Sequence, residues 1–341
     1  MKKLLLLRLG AMGDVCMTVP LVHALQDRYE VHWLVWRHHQ AIPRCFPQAR
    51  CRVIPAQLSP AGADQPPFPP SLVAALEAER YDALLDLCHW PETARLARHL
   101  QTVPLRAVTH DPVQDRLLGI QAKGIDLQAP FNCRVPVGAG LHQLDKWRQL
   151  VRHSLGLELQ LHWPLPPRRA RTNGSLRVFV HPHASKPAKV WPFQRFVEVL
   201  TQLSGQRRVI CDINSGSKHE LSRALRLWLL LAARGIAARV VPLDRGLGRP
   251  RAALRQADFA LGCDSGPLHF AALLGVPSVV VYGPYPAAEF GPLWRSVPVS
   301  ASYPGAPALA VSVEQVTQAV AVCLAADWRC EERSAARAAA A

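Results

Sequence analysis

The chain has 341 residues, enough for two domains of about 150, and its 49% hydrophobic content is sufficient for two buried cores. No apolar run approaches the roughly 18 residues that cross a membrane, and the leucines after Lys3 stop at Arg8, too soon for a secretion signal. A net charge of +15 either favours an anionic partner (nucleic acid, anionic lipid or a phosphorylated substrate) or reflects only an arginine-rich surface.

The first half of the chain alternates predicted strands and helices. A strand at 4–7 leads through a turn into a helix at 15–28, and a second strand follows at 31–35. This β–turn–α–β unit is typical of the start of a parallel sheet. The next predicted elements are a proline-rich loop, a helix, a buried strand and a helix, at 55–71, 72–79, 81–87 and 141–155.

A basic, proline-rich segment at 163–174 is the predicted linker, and the alternation restarts after it. Strands are predicted at 177–180, 207–211, 239–242, 259–261 and 278–282, and helices at 193–203, 220–233, 249–256 and 268–274. Each half therefore predicts a doubly wound α/β sheet.

These halves correspond to an N-terminal domain at 1–165 and a C-terminal domain at 166–311, with their loops facing a central cleft. Ser312 can cap a last helix within 312–328, which can return to the N-terminal domain. The tail at 329–341 is expected to be disordered.

The loop after the first strand carries Gly10, Gly13 and Asp14 ahead of a helix. The glycines permit a tight turn and a close approach to a ligand, and the helix N-terminus favours negative charge. Asp14 is either a capping acid or a base that takes a proton from an acceptor hydroxyl, and the spacing alone does not decide. The loop lacks the G-x-G-x-x-G pattern of dinucleotide-binding oxidoreductases.

A second polar turn, 264–266, joins a predicted strand to a helix in the C-terminal half. The backbone amides of such a turn can bind a diphosphate and stabilise the charge of a leaving nucleotide. His269 follows one turn later and either donates to a phosphate or packs within the helix.

The loop after the first strand of the C-terminal half, 181–192, carries Lys186 and Lys189, which can meet phosphate charge. Its two histidines, His181 and His183, resemble a metal pair, but no nearby carboxylate completes a site. The cysteines form no C-x-x-C pair and indicate buried thiols in a reducing cytosol. We therefore expect no metal and no cofactor.

These loops, in this order, resemble glycosyltransferase family 9, the ADP-heptose:lipopolysaccharide heptosyltransferases. The resemblance spans residues 4 to about 292, and its most specific part is 264–269. The matching positions are 8–15, Pro20, 81–82, 85–87, 184–185, Lys189, 191–192, 264–269, 271–272, 275–277, 283–284 and 291–292.

The resemblance implies a GT-B fold and an inverting, metal-independent transfer of a heptose from ADP-heptose to a hydroxyl of a lipopolysaccharide core or related glycan. It implies that Asp14 is the catalytic base and that Glu220 holds the donor ribose. The other expected donor-binding residues are Lys189, Asp264, Ser265, Gly266 and His269.

Three residues are expected to bind the acceptor or its phosphates: Arg8, Gly13 and Lys186. Lys2 and Lys3 are expected to extend the positive charge of Arg8 along the cleft edge, where a phosphorylated glycolipid would bind. The resemblance places the protein in biosynthesis of the bacterial cell envelope, in the cytoplasm and with peripheral attachment to the inner membrane left open.

Two alternatives remain at this stage. One is a GT-B enzyme that uses another nucleotide sugar or a protein or polysaccharide acceptor. The other is a non-catalytic protein that binds an anionic ligand or nucleic acid. Nucleic acid is not the expected partner, because the basic residues are dispersed and the tryptophans lie mostly in apolar runs.

Overall fold

The computed structural model describes residues 1–59, 67–110, 129–165, 174–216, 218–243, 246–292, 294–326 and 328. The chain separates into two compact units, Met1–His162 and Trp163–Ala341. Most of the predicted linker and the whole predicted tail lie outside the described residues.

The first unit contains a parallel sheet of six strands in the order β3-β2-β1-β4-β5-β6. The four consecutive leucines of the first strand are completely buried, since β1 lies at the centre with a neighbour on each side. The strands are β1 (Lys2–Leu7), β2 (Tyr29–Trp36), β3 (Arg52–Ala56), β4 (Ala83–Asp86), β5 (Leu105–His110) and β6 (Cys133–Pro136).

The helices of this unit connect the strands. The helix after β1 is buried along most of its length and continues through Pro20. The helices are α1 (Met12–Leu25), α2 (Ala41–Arg44), α3 (Pro70–Ala78), α4 (Pro91–His99) and α5 (Gln143–Leu155), with a 3-10 turn at Arg37–His39.

The second unit repeats the same architecture. Its parallel strands have the order β12-β11-β10-β7-β8-β9. They are β7 (Leu176–His181), β8 (Val209–Ser215), β9 (Ala237–Pro242), β10 (Phe259–Cys263), β11 (Ser278–Val281) and β12 (Ser296–Val299). The helices are α6 (Phe193–Ser204), α7 (Lys218–Ala232), α8 (Gly248–Gln256), α9 (Gly266–Leu273), α10 (Ala287–Phe290) and α11 (Val313–Ala325).

The last helix, α11, packs in the core of the second unit. Its buried face, which includes Val316 and Val320, joins the same apolar cluster as Val279 and Val281 of β11. It also contacts α6 and β12. These contacts lie within the second unit, and the return to the first unit that the sequence allowed stays a prediction.

The predicted fold class, two doubly wound α/β domains, is confirmed. In each sheet the chain winds outward in both directions from the first strand, which makes β1/β4 and β7/β10 the points where the winding reverses. Ligands of such sheets bind at the carboxyl ends of these strands. The loops after β1, β4, β7 and β10 are therefore where a site is expected.

Candidate active site

Asp14, in the first turn of α1, forms an ion pair with Arg8, which follows β1. Arg8 Nη2 lies 2.7 Å from Asp14 Oδ1, and the side chain of Asp14 is 28% exposed whereas that of Arg8 is 7% exposed. The other oxygen, Asp14 Oδ2, accepts the amide N–H of Ala11 at 2.8 Å. The pair holds the carboxylate in one orientation at the first turn of α1 and leaves it accessible to solvent.

The guanidinium of Arg8 is fixed from three sides. Besides Asp14, it donates to the carbonyl oxygen of Leu87 in the loop after β4. It also lies 4.8 Å from the ring centroid of the fully buried Trp147 in α5. Arg8 therefore joins the loops after β1 and β4 at the centre of the sheet.

Gly10 is required by this arrangement. A Cβ at this position would lie 2.3 Å from Asp14 Oδ2 and 2.4 Å from Asp14 Cβ, closer than atoms can pack. The absence of a side chain at Gly10 thus allows the Asp14 carboxylate to fold back over the turn. Gly13 lies in the first turn of α1, partly buried, and adds no side chain beside Asp14.

The last residue of β4, Asp86, was matched in the sequence only as part of the family pattern. Asp86 is fully buried, and its Oδ1 accepts the amides of Cys88 at 2.8 Å and His89 at 3.3 Å. Burial raises the pKa of the Asp86 carboxyl. His89 has a positive φ of 53°, a backbone conformation that is uncommon for residues other than glycine.

His39 is a residue that the sequence analysis missed. Burial lowers the pKa of His39 to about 4, His38 lowers it further, and the negative charge of Asp14 acts in the opposite direction. His39 is therefore near enough to Asp14 for the two to interact. The sequence feature that could have identified His39 is its position just after β2, because the carboxyl end of β2 lies beside that of β1.

In the second unit, Lys189 and Asp264 form an ion pair between the loops after β7 and β10. Lys189 Nζ lies 2.7 Å from Asp264 Oδ2, with side-chain exposures of 16% and 6%. The 3-10 turn Pro187–Lys189 packs tightly against Gly283, where a Cβ would lie 2.5 Å from the carbonyl oxygen of Ala188. This contact fixes the backbone that carries Lys189.

The N-terminus of α9 offers backbone amides beside this pair. Ser265 is the N-cap residue, but its hydroxyl donates to the carbonyl oxygen of Cys263 at 3.0 Å and does not cap the helix. The first turn of α9 is therefore without a side-chain cap. Pro267 has no N–H and the amide of Leu268 donates to the carbonyl oxygen of Ser265, so the amides of Ser265 and Gly266 are the ones that can bind an anion. His269 follows in the same helix and is buried, 6% exposed.

Two predicted binding residues have other contacts. Lys186 pairs with the hydroxyl of Tyr285, and its Nζ lies 4.8 Å from that ring centroid, whereas Lys189 Nζ lies 5.5 Å from it. Tyr285 thus brings the two lysines to one aromatic ring. Glu220 lies in the first turn of α7, where it accepts the amide of Gly216.

The predicted continuity of Lys2 and Lys3 with Arg8 is wrong. Lys2 and Lys3 are the first residues of β1, whereas Arg8 follows its last residue. The lysines and Arg8 therefore lie at opposite ends of this strand. A strand of this length separates its ends by roughly 20 Å. In addition, Lys3 Nζ is paired with Glu79 at 2.6 Å.

Within the described ranges, no group of three or more histidine, cysteine, aspartate or glutamate side chains could hold a metal ion. The described helices include none long and apolar enough to span a bilayer.

Comparison with protein families decides the class of the chain. The family model described as glycosyltransferase family 9 (heptosyltransferase) matches residues 70–310, well over half of the chain. The chain belongs to glycosyltransferase family 9. This family 9 protein is thus a glycosyltransferase, as the resemblance of its loops predicted.

Solved structures share the fold of this glycosyltransferase. E. coli heptosyltransferase WaaC with ADP matches with a TM-score of 0.70 and 22% identity, over 94% of this chain and 99% of WaaC. E. coli ADP-heptose lipopolysaccharide heptosyltransferase II gives 0.70 and 18%, over 94% and 98%. A family 9 glycosyl transferase from Veillonella parvula gives 0.71 and 17%, over 95% and 97%. The GT-B fold is therefore established. A search of curated proteins found no match.

Proposed function

We propose that this family 9 glycosyltransferase moves a heptose from ADP-heptose to a hydroxyl of a lipopolysaccharide core or related glycan, with inversion and without a metal ion. The observation that carries the proposal is the position of the candidate residues. In each sheet all of them except Glu220, which follows β8, follow the central strands at the reversal of the winding, where ligands of doubly wound sheets bind. The first domain supplies the base and the second holds the donor.

Asp14 acts as the base in this mechanism. One oxygen of its carboxylate is ion-paired with Arg8, and the other accepts the amide N–H of Ala11. An ionised carboxylate has about four lone-pair sites, so it can also accept the proton of an acceptor hydroxyl. Arg8 acts as a positioning residue, because its guanidinium is buried and already bound to Asp14 and Leu87.

The second domain stabilises the leaving group. As the acceptor oxygen bonds to the anomeric carbon, the bond from that carbon to the diphosphate oxygen breaks, and ADP departs with the electron pair. Lys189 and the amides of Ser265 and Gly266 lie where they can meet the growing negative charge. Asp264 orients Lys189 and does not itself contact the phosphates, since a carboxylate would repel them.

The two E. coli structures support ADP-heptose as the donor. One contains ADP, and a further structure of WaaC contains ADP-2-deoxy-2-fluoro heptose. We infer the same donor class for this chain, with Glu220 on the ribose and His269 on a phosphate. We also propose a cytoplasmic location with peripheral attachment to the inner membrane, where a phosphorylated glycolipid acceptor would be presented.

Replacement of Asp14 by asparagine tests the base assignment. Asparagine keeps the shape but cannot take a proton, so kcat for transfer from ADP-heptose should fall by about 10²–10⁴-fold while ADP affinity is retained. Asp27→Asn is the matched control, because Asp27 is a highly exposed aspartate paired with Arg50. Wild-type turnover by a folded Asp14→Asn protein would exclude Asp14 as the base.

A nucleotide panel tests the donor class and separates the alternatives. A ligand that binds only the folded protein stabilises it by about 2.7 kcal/mol at 100 times its Kd. We expect ADP to raise the melting temperature more than UDP, GDP or CDP. Preference for another nucleotide would indicate a different sugar donor, and binding of an oligonucleotide without any nucleoside diphosphate would favour the non-catalytic alternative.

A further inference from the structure

A pocket of about 530 Å³ lies in the second unit, outside the residues proposed to bind the donor. One wall is the segment 190–194, which leads into α6, and the other is the N-terminal half of α7. His183, from the loop after β7, also lines it. The volume is within the range of small-molecule sites, about 300–1,000 Å³.

The α7 wall is positively charged. Arg223 and Arg226 lie three residues apart and so share one face of the helix. In the described part of the chain neither guanidinium forms an ion pair with a carboxylate, and Arg226 instead lies 4.9 Å from the ring centroid of Phe193 across the pocket. Two positive charges thus converge on one pocket without a protein anion to balance them.

His183 adds an unsatisfied polar group. Its side chain is buried, 2% exposed, and neither Nδ1 nor Nε2 has a hydrogen-bond partner among the described residues. Buried polar atoms in folded proteins nearly always have a partner, so one is expected within the pocket that His183 lines. Burial lowers the pKa of His183 to about 4, with smaller effects of Arg223 and His219 in the same direction. The ring is therefore neutral at pH 7 and can donate one N–H.

The N-terminus of α6 faces the same pocket. This helix has 12 residues and begins at Phe193, and its N-cap residue, Pro192, provides no side-chain hydrogen bond. Its first-turn amides and the positive end of its dipole therefore favour an anion. The same segment contributes apolar surface from Val190 and Trp191.

We propose that this pocket binds a phosphomonoester, separately from the nucleotide-sugar donor. A phosphomonoester carries a charge of about −1.5 to −2 at pH 7, which matches the charges of Arg223 and Arg226. His183 and the α6 amides donate to its oxygens, and the apolar wall contacts the organic part of the ligand. None of the proposed donor residues lines the pocket.

The phosphate can belong to a soluble metabolite or to a phospholipid headgroup. The same helix, α7, exposes three apolar side chains, Leu225, Trp228 and Leu229, at 44%, 37% and 59%. An exposed tryptophan flanked by arginine is also typical of a membrane interface. The experiment therefore includes one probe of each kind.

The test measures binding by calorimetry at constant ionic strength, with glucose 6-phosphate as the soluble probe. The lipid probe is phosphatidylcholine vesicles with and without phosphatidic acid, in co-sedimentation. Each probe is tested on the full chain with and without saturating ADP. The variant is Arg223→Gln/Arg226→Gln, and the matched control is Arg207→Gln/Arg255→Gln, which removes two exposed arginines of the same unit outside the pocket.

We expect one probe to bind the ADP-saturated protein, with affinity reduced at least 10-fold in the pocket variant and unchanged in the control. Binding of the sugar phosphate identifies a soluble ligand, and binding that requires phosphatidic acid identifies a headgroup. The proposal fails if neither probe binds, if ADP displaces the phosphate, or if the pocket variant binds like the control. Each probe is also measured without ADP, so binding at this pocket is assessed whether or not ADP binds. A protein that binds a probe but does not bind ADP would contradict the donor assignment and leave the pocket proposal standing.

Discussion

Asp14 combines a structural role with a proposed chemical one. It lies in the first turn of α1, where an acidic side chain stabilises the helix N-terminus, and it accepts the amide of Ala11 as a capping acid does. The sequence could not separate the two roles, because a capping acid and a base at the carboxyl end of a strand occupy the same position. The structure shows that they are compatible, since the carboxylate remains 28% exposed while it caps.

The ion pairs at the site illustrate the limit of sequence reasoning at this scale. Lys189 and Asp264 were both expected to bind the donor, but their separation along the chain gave no indication that they bind each other. The pair forms because β7 and β10 are neighbours, so that the loops after them meet. Residue types at strand ends were predictable, whereas their partners depended on strand order.

Gly10→Ala is predicted to damage the site without removing a charged group. The added methyl would lie within 2.4 Å of both Oδ2 and Cβ of Asp14, so the first turn of α1 must shift. A displacement of about 1 Å at a reacting group can reduce turnover by about 10²-fold. We expect kcat to fall by this order, with a loss of about 1–3 kcal/mol in the free energy of unfolding from overpacking.

Transfer kinetics and urea unfolding measure these two effects. The control is Gly138→Ala, because a Cβ at Gly138 would meet its nearest atom, on Leu141, at an ordinary 3.6 Å. Equal kcat values for Gly10→Ala and wild type would show that the close approach at Gly10 does not position Asp14.

At the scale of elements, the interior strands were predicted apart from β5, whereas three of the four edge strands, all but β9, were missed. Three of the four strands that the sequence analysis missed, β3, β6 and β12, contain a proline, and each is at the edge of its sheet. Pro55, Pro136 and Pro298 occupy strand positions that an edge tolerates because an outward N–H is not needed. In a sequence, a proline argues against predicting a strand. Only the strand order of the folded sheet shows which segments lie at an edge and can form a strand despite their proline.

The helices that were predicted have small errors at their ends, whereas α4 and the short helices α2 and α10 were not predicted. The helix after β1 begins at Met12, three residues before the predicted start, because Ala11 rather than Asp14 is its N-cap. The last helix starts where predicted, since Ser312 caps it through a reciprocal pair with Gln315. A serine that caps a helix can be recognised in the sequence. The start of a helix is harder to predict when the side chain that accepts the N-cap amide lies three residues later, as Asp14 does here.

Ser312→Ala should weaken the second domain through this cap. Loss of an N-cap hydroxyl costs about 1 kcal/mol of stability. Because α11 packs in the core of the second sheet, the loss should appear in the unfolding of that domain. Urea unfolding followed by tryptophan fluorescence gives the measurement, with the exposed Ser302→Ala as control. Identical unfolding midpoints for the two variants would mean that the reciprocal hydrogen bonds between Ser312 and Gln315 do not contribute to the stability of the domain.

At the scale of the whole molecule, buried histidines connect stability to pH. Burial lowers the pKa of His181 to about 3, and His183 lowers it further, whereas hydrogen bonds with Asn214 oppose the shift. His39 and His183 have pKa values lowered to about 4. In the unfolded chain all three would titrate near 6.5, so that the unfolded state binds more protons than the folded state between these values.

The free energy of unfolding should therefore be fully retained above about pH 6.5 and fall as the pH is lowered toward 4. The fully buried His181 should contribute a slope of about 1 kcal/mol per pH unit in this window. Urea unfolding at pH 7 and pH 5 measures the slope, and His181→Gln should reduce it, whereas His153→Gln, which replaces an exposed histidine on α5, should not. A wild-type stability that is the same at both pH values would show that the pKa values of these histidines are not lowered in the folded protein.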